Sequence, residues 1–193
     1  MPDSPTRARL LDGALACLRE TDPGRVTFAE VARRTGIARQ TLYAHFPDRD
    51  ALLHAAVRQA ALDLTARLEE RTRTLPPSEA VVESLATFHA EARRDPALAH
   101  VIAMTLHPAA QESGTLSAQA LALTRGFLRR RVAEGTTPQR LEEMAEVALR
   151  TLLSLLAYDS ATTETPQRLR EYLRATLLPA LDLADGPHRA TAP

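Results

Sequence analysis

The stretch from Arg25 to Phe46 constrains the fold most, because it carries the sequence signals of two short helices joined by a tight turn. Thr27 and Glu30 form a Thr-x-x-Glu capping box, which marks the start of the first helix. Gly36 closes that helix, since glycine adopts the left-handed conformation without a steric penalty. This order of cap, helix, glycine turn and second helix predicts a helix-turn-helix.

Apolar residues in this stretch recur at helical spacing and predict which faces are buried. The residues expected to face inward are Phe28, Val31 and Ala32 on the first helix, Ile37 at the angle, and Leu42 and Phe46 on the second. The polar residues left to face outward from the second helix are Arg39, Gln40, Thr41, Tyr43 and His45.

Several of these positions form one pattern: Thr27, Ala32, Gly36-Ile37 and Thr41-Leu42-Tyr43-Ala44-His45-Phe46, flanked by Leu10–Leu15 and Arg49–Leu53. The pattern resembles the amino-terminal signature of TetR-type bacterial transcriptional repressors, over roughly the first quarter to third of the chain. Two positions depart from it. Ala38 stands where the family often has serine, which removes a helix cap. Arg49 stands where the family usually has lysine, which keeps the charge.

The second helix of a helix-turn-helix lies in the major groove, with its amino-terminal residues against base edges. Arg39 and Gln40 are therefore the predicted base-reading residues, because arginine binds guanine and glutamine binds adenine through two hydrogen bonds. The predicted phosphate contacts, which set register rather than sequence, are Thr27, Thr41, Tyr43, His45 and Arg49. The resemblance implies similar roles for these five. The alternative is that they are merely exposed polar residues on a three-helix module.

The rest of the chain predicts helices only, about nine in total, because no segment alternates like a strand for long enough to form a sheet. Proline and aspartate mark the predicted helix starts. The clearest break is Leu75-Pro76-Pro77-Ser78, where Ser78 is the expected N-cap. We predict an all-α protein with three parts: a DNA-binding domain at residues 1–47, a helical ligand-binding and dimerisation domain at 48–184, and a flexible tail at 185–193.

Composition excludes several functions. The chain has a formal net charge of zero, which argues against coating nucleic acid through a diffuse positive field. Residues 25–46 hold four arginines and one glutamate, and this local excess favours selective docking on DNA. Cys17 has no disulfide partner, and no secretory or bilayer-spanning segment is evident, so a reducing cytoplasm and no membrane are expected. Glycine-rich phosphate loops and catalytic or metal motifs are lacking, so we predict no enzyme, cofactor or metal.

Residues His100, Met104 and His107 lie on one face of a predicted helix. They could form a metal site or the wall of a ligand cavity, or the histidines could be satisfied by neighbours or solvent. The last two interpretations are preferred. The full set of predicted pocket residues is Phe88, His89, His100, Met104, His107, Phe127 and Tyr158. Aromatic residues at helical spacing are also typical of a core.

The pentapeptide Thr-Pro-Gln-Arg-Leu begins at Thr137 and again at Thr165. Both copies predict a helix start, with threonine as cap and proline at the first helical position. The long apolar seams that follow are the predicted dimer contact: Leu141, Ala145, Ala148, Leu152, Leu169, Leu173 and Leu177. A two-fold dimer would place two reading helices in successive major grooves and require a palindromic operator.

These features together predict a regulator that binds an operator in double-stranded DNA as a homodimer, most simply a repressor. The resemblance implies that a small molecule binds the carboxy-terminal region and releases the DNA by shifting the helix that begins after Asp48. The aliphatic composition of that region predicts an apolar inducer. The alternatives are an activator or a DNA-binding protein without a ligand, and, from another class, a small-molecule binding protein or enzyme with a vestigial helix-turn-helix.

Overall fold

The computed structural model describes residues 5–21, 23–99, 118–158 and 160–183, and regular secondary structure in these ranges is entirely helical. The α-helices are α1 Pro5–Glu20, α2 Phe28–Thr35, α3 Arg39–His45, α4 Arg49–Arg71, α5 Pro77–Arg94, α6 Ala118–Arg129, α7 Pro138–Ala157 and α8 Pro166–Leu181. A single 3-10 turn, Pro23–Arg25, precedes α2, and residues 96–99 are also helical. The predicted all-α class is confirmed.

The chain packs as two compact units. Among the described residues, the first unit holds residues 5–64 and 92–99, and the second holds 65–91 and 118–183. The change from one unit to the other therefore falls inside α4 and again near the end of α5. These units are defined by packing, so the functional boundaries after residues 47 and 184 stay predictions.

The first unit is built by packing α1 and α4 residues with the helix-turn-helix. The apolar stripe of α1 is buried, including Leu10, Ala14 and Leu18. Gly13 lies on the same helix where it approaches α2, and a Cβ atom placed there would stand 2.2 Å from Thr35 Cγ2. Glycine is thus required at this position by the close approach of the two helices.

The second unit has its own apolar core, built from α5, α6, α7 and α8, with Val82, Ala145 and Leu173 completely buried. Both predicted helix starts are confirmed. Thr137 Oγ1 accepts a hydrogen bond from the Arg140 N–H, and the same bond forms from the Arg168 N–H to Thr165. Ion pairs then join α8 to α5, namely Arg170 to Glu83 at 2.6 Å and Arg174 to Glu79 at 2.8 Å.

One predicted helix boundary is wrong in detail, and one proline lies inside a helix. Helix α5 begins at Pro77 rather than after Ser78, because proline fits the first helical position, where no N–H bond is lost. Pro179 lies inside α8, which continues to Leu181 and ends where Asp182 takes the left-handed conformation. None of the described helices has the length and apolarity that crossing a membrane would require.

The side chains predicted to form the dimer contact are instead mostly buried within one chain. Six of the seven side chains are buried in the core of a single chain, namely Leu141, Ala145, Ala148, Leu169, Leu173 and Leu177, and Leu152 is half-buried. A side chain without exposed surface cannot contact a second chain. The apolar seams face α5, α6 and each other, because a repeat of apolar residues shows which face of a helix packs but not what packs against it.

Candidate nucleic-acid interface

The cap at the start of α2 is half of the predicted capping box. Thr27 Oγ1 accepts a hydrogen bond from the N–H of Glu30 at 3.2 Å. The carboxylate of Glu30 does not return a bond to Thr27 but pairs with Arg33 one turn later, at 2.5 Å. The Arg33 guanidinium, through that hydrogen bond, holds the pKa of Glu30 below its usual range. Arg33 thus takes the place of the backbone N–H of Thr27 as the partner of the Glu30 carboxylate.

The turn between the two helices is built around Gly36, as predicted. Its φ of 69° is in the left-handed region, and its N–H donates to the carbonyl of Ala32 at 2.9 Å. Thr35 supports the turn twice, since its Oγ1 donates to the Val31 carbonyl and accepts from the N–H of Ile37. These contacts set the angle at which α3 leaves α2.

Helix α3 is anchored by its inner face. Leu42 and Phe46 are buried as predicted, while Ile37 is only partly buried. The helix begins without a side-chain cap, because Ala38 occupies the N-cap position in extended conformation. With seven residues, α3 is about 10 Å long at 1.5 Å per residue, a size suited to the major groove.

The outer face of α3 carries both predicted base-reading residues. Arg39 and Gln40 are exposed at its amino-terminal end, where a recognition helix presents side chains to bases. Tyr43 follows Arg39 by one turn and is 63% exposed. Its ring packs edge to face on Phe28, with centroids 4.8 Å apart. This contact fixes the direction of the phenol while leaving its hydroxyl accessible.

The positive charge at this surface is smaller than the sequence implies. Arg33 is paired with Glu30, and Arg34 is paired with Glu20 of α1 at 2.6 Å. The Arg34 guanidinium, through its hydrogen bond, holds the pKa of the Glu20 carboxyl below its usual range. Within the described ranges, Arg39 makes no hydrogen bond or ion pair. Of the four arginines in residues 25–46, Arg25 and Arg39 therefore keep an uncompensated charge, and Arg39 is the one at the position where base reading is predicted.

The remaining predicted phosphate contacts differ in how they are held. Thr27 is exposed, and Thr41 and His45 are partly buried. Arg49 is engaged on both sides in the free protein, pairing with Asp50 at 2.8 Å and donating to the Gly24 carbonyl at 3.3 Å. Its charge is largely compensated there, so Arg49 would have to exchange these partners to bind a phosphate.

One contact in the first unit was not predicted from the sequence. Arg19, near the end of α1, donates two hydrogen bonds to Asp95 at 3.0 and 2.8 Å. The same carboxylate accepts from the N–H of Ala97 at 2.9 Å. The segment at residues 95–97 is thereby tied to the helix that covers the helix-turn-helix. Only the Asp-Pro helix start was visible in the sequence, because a contact across 76 positions leaves no local pattern.

The predicted ligand-pocket residues do not form one described group. His100, Met104 and His107 lie outside the described residues. Phe88 and His89 are partly buried on α5, and the ring of His89 bonds the Leu155 carbonyl at 3.2 Å. Tyr158 is 75% exposed, and its place in a pocket stays a prediction. It follows the end of α7, where the chain leaves the core.

Phe127, the last member of that set, is partly buried against the second core. No cluster of three or more His, Cys, Asp or Glu side chains suited to a metal occurs in the part of the chain that the structure describes.

The comparisons with known proteins cover the helix-turn-helix and also the helices that follow it. Residues 10–56 match the family described as bacterial regulatory proteins, tetR family. An uncharacterized HTH-type transcriptional regulator of Mycobacterium tuberculosis is 29% identical over 154 residues, which cover 78% of this chain and 74% of that relative.

Two solved structures share the fold. The TetR family repressor AlkX from Dietzia sp. strain DQ12-45-1b, implicated in biodegradation of n-alkanes, has a TM-score of 0.68 at 22% identity, over 93% of this chain and 96% of AlkX. The TetR family repressor FadR of Thermus thermophilus, in complex with lauroyl-CoA, has a TM-score of 0.57 at 21% identity, over 97% and 98% of the two chains. The helix-turn-helix segment at residues 10–56 therefore matches the tetR family of bacterial regulatory proteins, and the fold of the chain is similar to that of these TetR family repressors.

Proposed function

We propose that the protein is a repressor that binds a palindromic operator as a two-fold dimer and leaves it when a small apolar molecule binds. The observation that carries this proposal is the exposed, unpaired Arg39 beside Gln40 at the start of α3. Arginine in this position can bind guanine through two hydrogen bonds and so distinguish base pairs by about 1–3 kcal/mol. An exposed side chain without a partner is ready to do so at no cost in broken ion pairs.

A dimer is required by the small size of the reading surface. One seven-residue helix contacts only a few base pairs, so useful specificity needs two copies about 34–36 Å apart. The outer face of α7 offers the contact. Val147 on that face is 37% exposed, and Tyr158, directly after the end of the helix, is 75% exposed. Aromatic side chains are enriched in the buried centres of protein interfaces.

Release by a ligand requires unequal affinity for the DNA-binding and released states, typically about 1–3 kcal/mol of coupling. The lauroyl chain of the ligand in the lauroyl-CoA complex of the Thermus thermophilus repressor supports an effector with an apolar part for this chain. Two features of the first unit could carry the coupling: the start of α4, capped where the Ala51 N–H donates to Asp48, and the Arg19–Asp95 pair. Both contacts lie where the helix-turn-helix and α1 meet the segments that follow them, namely α4 and residues 95–97.

Selection of random duplexes by the purified protein tests the DNA-binding part of the proposal. Wild type should recover a palindrome. Arg39→Ala should relax the preference at one symmetric base position, and Tyr43→Ala should weaken binding to all sequences. Arg33→Ala is the matched control, because it removes an exposed arginine of the preceding helix that is paired with Glu30.

Three results would contradict parts of this proposal. Recovery of no sequence at low salt would favour a small-molecule binding protein with a vestigial helix-turn-helix. A palindrome with equal loss for Arg33→Ala and Arg39→Ala would remove Arg39 as the base reader. Lower expression of the adjacent operon after deletion of the gene would indicate an activator in place of a repressor.

A further inference from the structure

The run Arg129–Arg131 at the end of α6 contains three arginines in three different environments. Arg129 is exposed to solvent. Arg130 forms an ion pair with Glu69 of α4. Arg131 is partly buried, and its guanidinium lies 3.7 Å from the centroid of the Phe127 ring. A run of three arginines at a helix end thus includes one side chain that is withdrawn from solvent.

Arg131 has a structural role that uses part of its hydrogen-bonding capacity. Its Nη1 donates to the Phe127 carbonyl at 2.8 Å, which satisfies one of the orphan carbonyls in the last turn of α6. Its Nη2 donates to Thr72 Oγ1 at 3.2 Å, and that hydroxyl in turn donates a hydrogen bond to the Leu68 carbonyl at 2.7 Å. A guanidinium carries five N–H donors, so these two bonds leave others available.

The charge of Arg131 is also incompletely compensated. No carboxylate lies within ion-pair distance of it among the residues the structure describes, and Glu69, which attracts it from farther away, is bound by Arg130. Burial lowers the pKa of Arg131, which means that the site disfavours an isolated cation. A partly buried charge is normally paired, and an anion from outside the chain would supply the missing partner.

A cavity of about 370 Å³ lies beside this guanidinium, entirely within the second unit. Its apolar wall is formed by Ala66, Leu75, Pro77 and Ala80, and its polar wall by Glu69, Glu70, Thr72, Arg73, Arg130 and Arg131. The two glutamates are each paired, one with Arg130 and the other with Arg73 at 3.4 Å. The net charge of the wall is therefore that of Arg131 alone.

We infer that this cavity binds a small monocarboxylate, with the carboxylate on Arg131 and a short apolar body against Leu75 and Pro77. The volume is within the range of small-molecule sites, about 300–1,000 Å³. The planar guanidinium matches a carboxylate in geometry. A single excess positive charge between two glutamates disfavours dianions such as phosphate esters. The inference uses the second unit only and does not depend on repression or on DNA binding.

Calorimetric titration of the full-length protein without DNA tests the site. The probes are hexanoate and benzoate, each compared with its neutral amide, and inorganic phosphate as a dianion. At least one carboxylate should bind at millimolar concentration, whereas the amides and phosphate should not. Loss of the charged hydrogen bonds should weaken carboxylate binding at least about tenfold in Arg131→Gln.

Two variants make the result specific. Arg129→Gln changes the charge by the same amount on an exposed residue of the same arginine run that does not line the cavity, and this variant should bind like wild type. Ala66→Phe, at an exposed position on the cavity wall, should block binding while Arg131 keeps its bonds to Phe127 and Thr72. This second variant tests the site even if Arg131→Gln unfolds the second unit.

Equal affinity of wild type and Ala66→Phe for a carboxylate would overturn the inference, because the ligand would then lie elsewhere. Binding of the amide as tightly as the acid would overturn the role of Arg131. Absence of heat for both carboxylates at millimolar concentration would exclude the site altogether.

Discussion

At the start of α3, the methyl group of Ala38 stands where a side-chain oxygen would accept a hydrogen bond from the backbone. The residue already has the extended conformation of an N-cap, with φ −61° and ψ 143°. Ala38→Ser should therefore stabilise the protein by about 0.5–2 kcal/mol, measured as the free energy of unfolding in urea. Ala44→Ser, on the exposed face of the same helix, has no N–H to cap and should not stabilise it. A similar gain in both variants would refute the capping argument.

Ionisation of Asp95 should contribute more to the pH dependence of stability than that of any other described residue in the first unit. Burial acts to raise its pKa, but the hydrogen bonds from Arg19 and from the Ala97 N–H outweigh burial and hold the pKa below its ordinary value. A carboxyl with a lower pKa in the folded chain stabilises it above the unfolded value, about 3.9 for aspartate, and loses this contribution as the pH falls through the folded value.

Asp95→Asn should therefore lower the urea midpoint at neutral pH and flatten its decline in acid. Asp63→Asn is the control, because Asp63 is exposed and bonds the neutral Gln59. An unchanged acid decline in Asp95→Asn would assign the pH dependence to other carboxylates.

At the scale of elements, the angle between α1 and α2 depends on Gly13 having no side chain. Alanine at position 13 would bring its Cβ to 2.2 Å from Thr35 Cγ2, and Thr35 cannot easily rotate because its hydroxyl bonds both Val31 and Ile37. Overpacking of this kind costs about 1–3 kcal/mol, more than alanine gains over glycine in a helix. Gly13→Ala should thus lower the free energy of unfolding and weaken DNA binding.

Gly126→Ala is the matched control for this change. Gly126 lies inside α6, and a Cβ there meets no atom within 4 Å. The same substitution should therefore stabilise the chain by about 0.5–1 kcal/mol, the usual difference between alanine and glycine in a helix. Destabilisation of equal size at both positions would mean that close packing of α1 on α2 is not the cause.

The helix ends were predictable because their signals are local. Thr137, Thr165 and Gly36 each act on a backbone group within a few residues, and such bonds depend on sequence neighbours alone. The inner and outer faces of α3 were predictable for the same reason, since helical spacing separates Leu42 from Arg39. The reading surface proposed here is therefore mostly a product of local sequence.

Partners distant in sequence were not predictable. Glu20 neutralises Arg34, so a count of charges over residues 25–46 overstates the positive surface. The leucines of α7 and α8 were assigned to a dimer, although Leu173 is fully buried in its own chain. Periodicity gives each helix an apolar face, but only the tertiary structure decides whether that face meets the same chain or another one.

For the molecule as a whole, the proposed dimer is expected to use the outward side of the helices that build the second core. Val147 and Tyr158 lie on α7 and just after it, about three helical turns apart. Neither is buried, so a charged substitution there should leave the fold intact. It would, however, place an unpaired charge in the centre of a proposed two-fold contact, where burial of a charge is strongly unfavourable.

Val147→Glu and Tyr158→Glu should therefore sediment as monomers at concentrations where wild type is a dimer. Operator affinity should fall by roughly a hundredfold or more, because the second reading head is no longer held near its half-site. Leu62→Glu is the control, since Leu62 is 38% exposed on α4, close to the 37% of Val147. Dimers that persist in Val147→Glu and Tyr158→Glu but dissociate with Leu62→Glu would move the two-fold axis to the first unit.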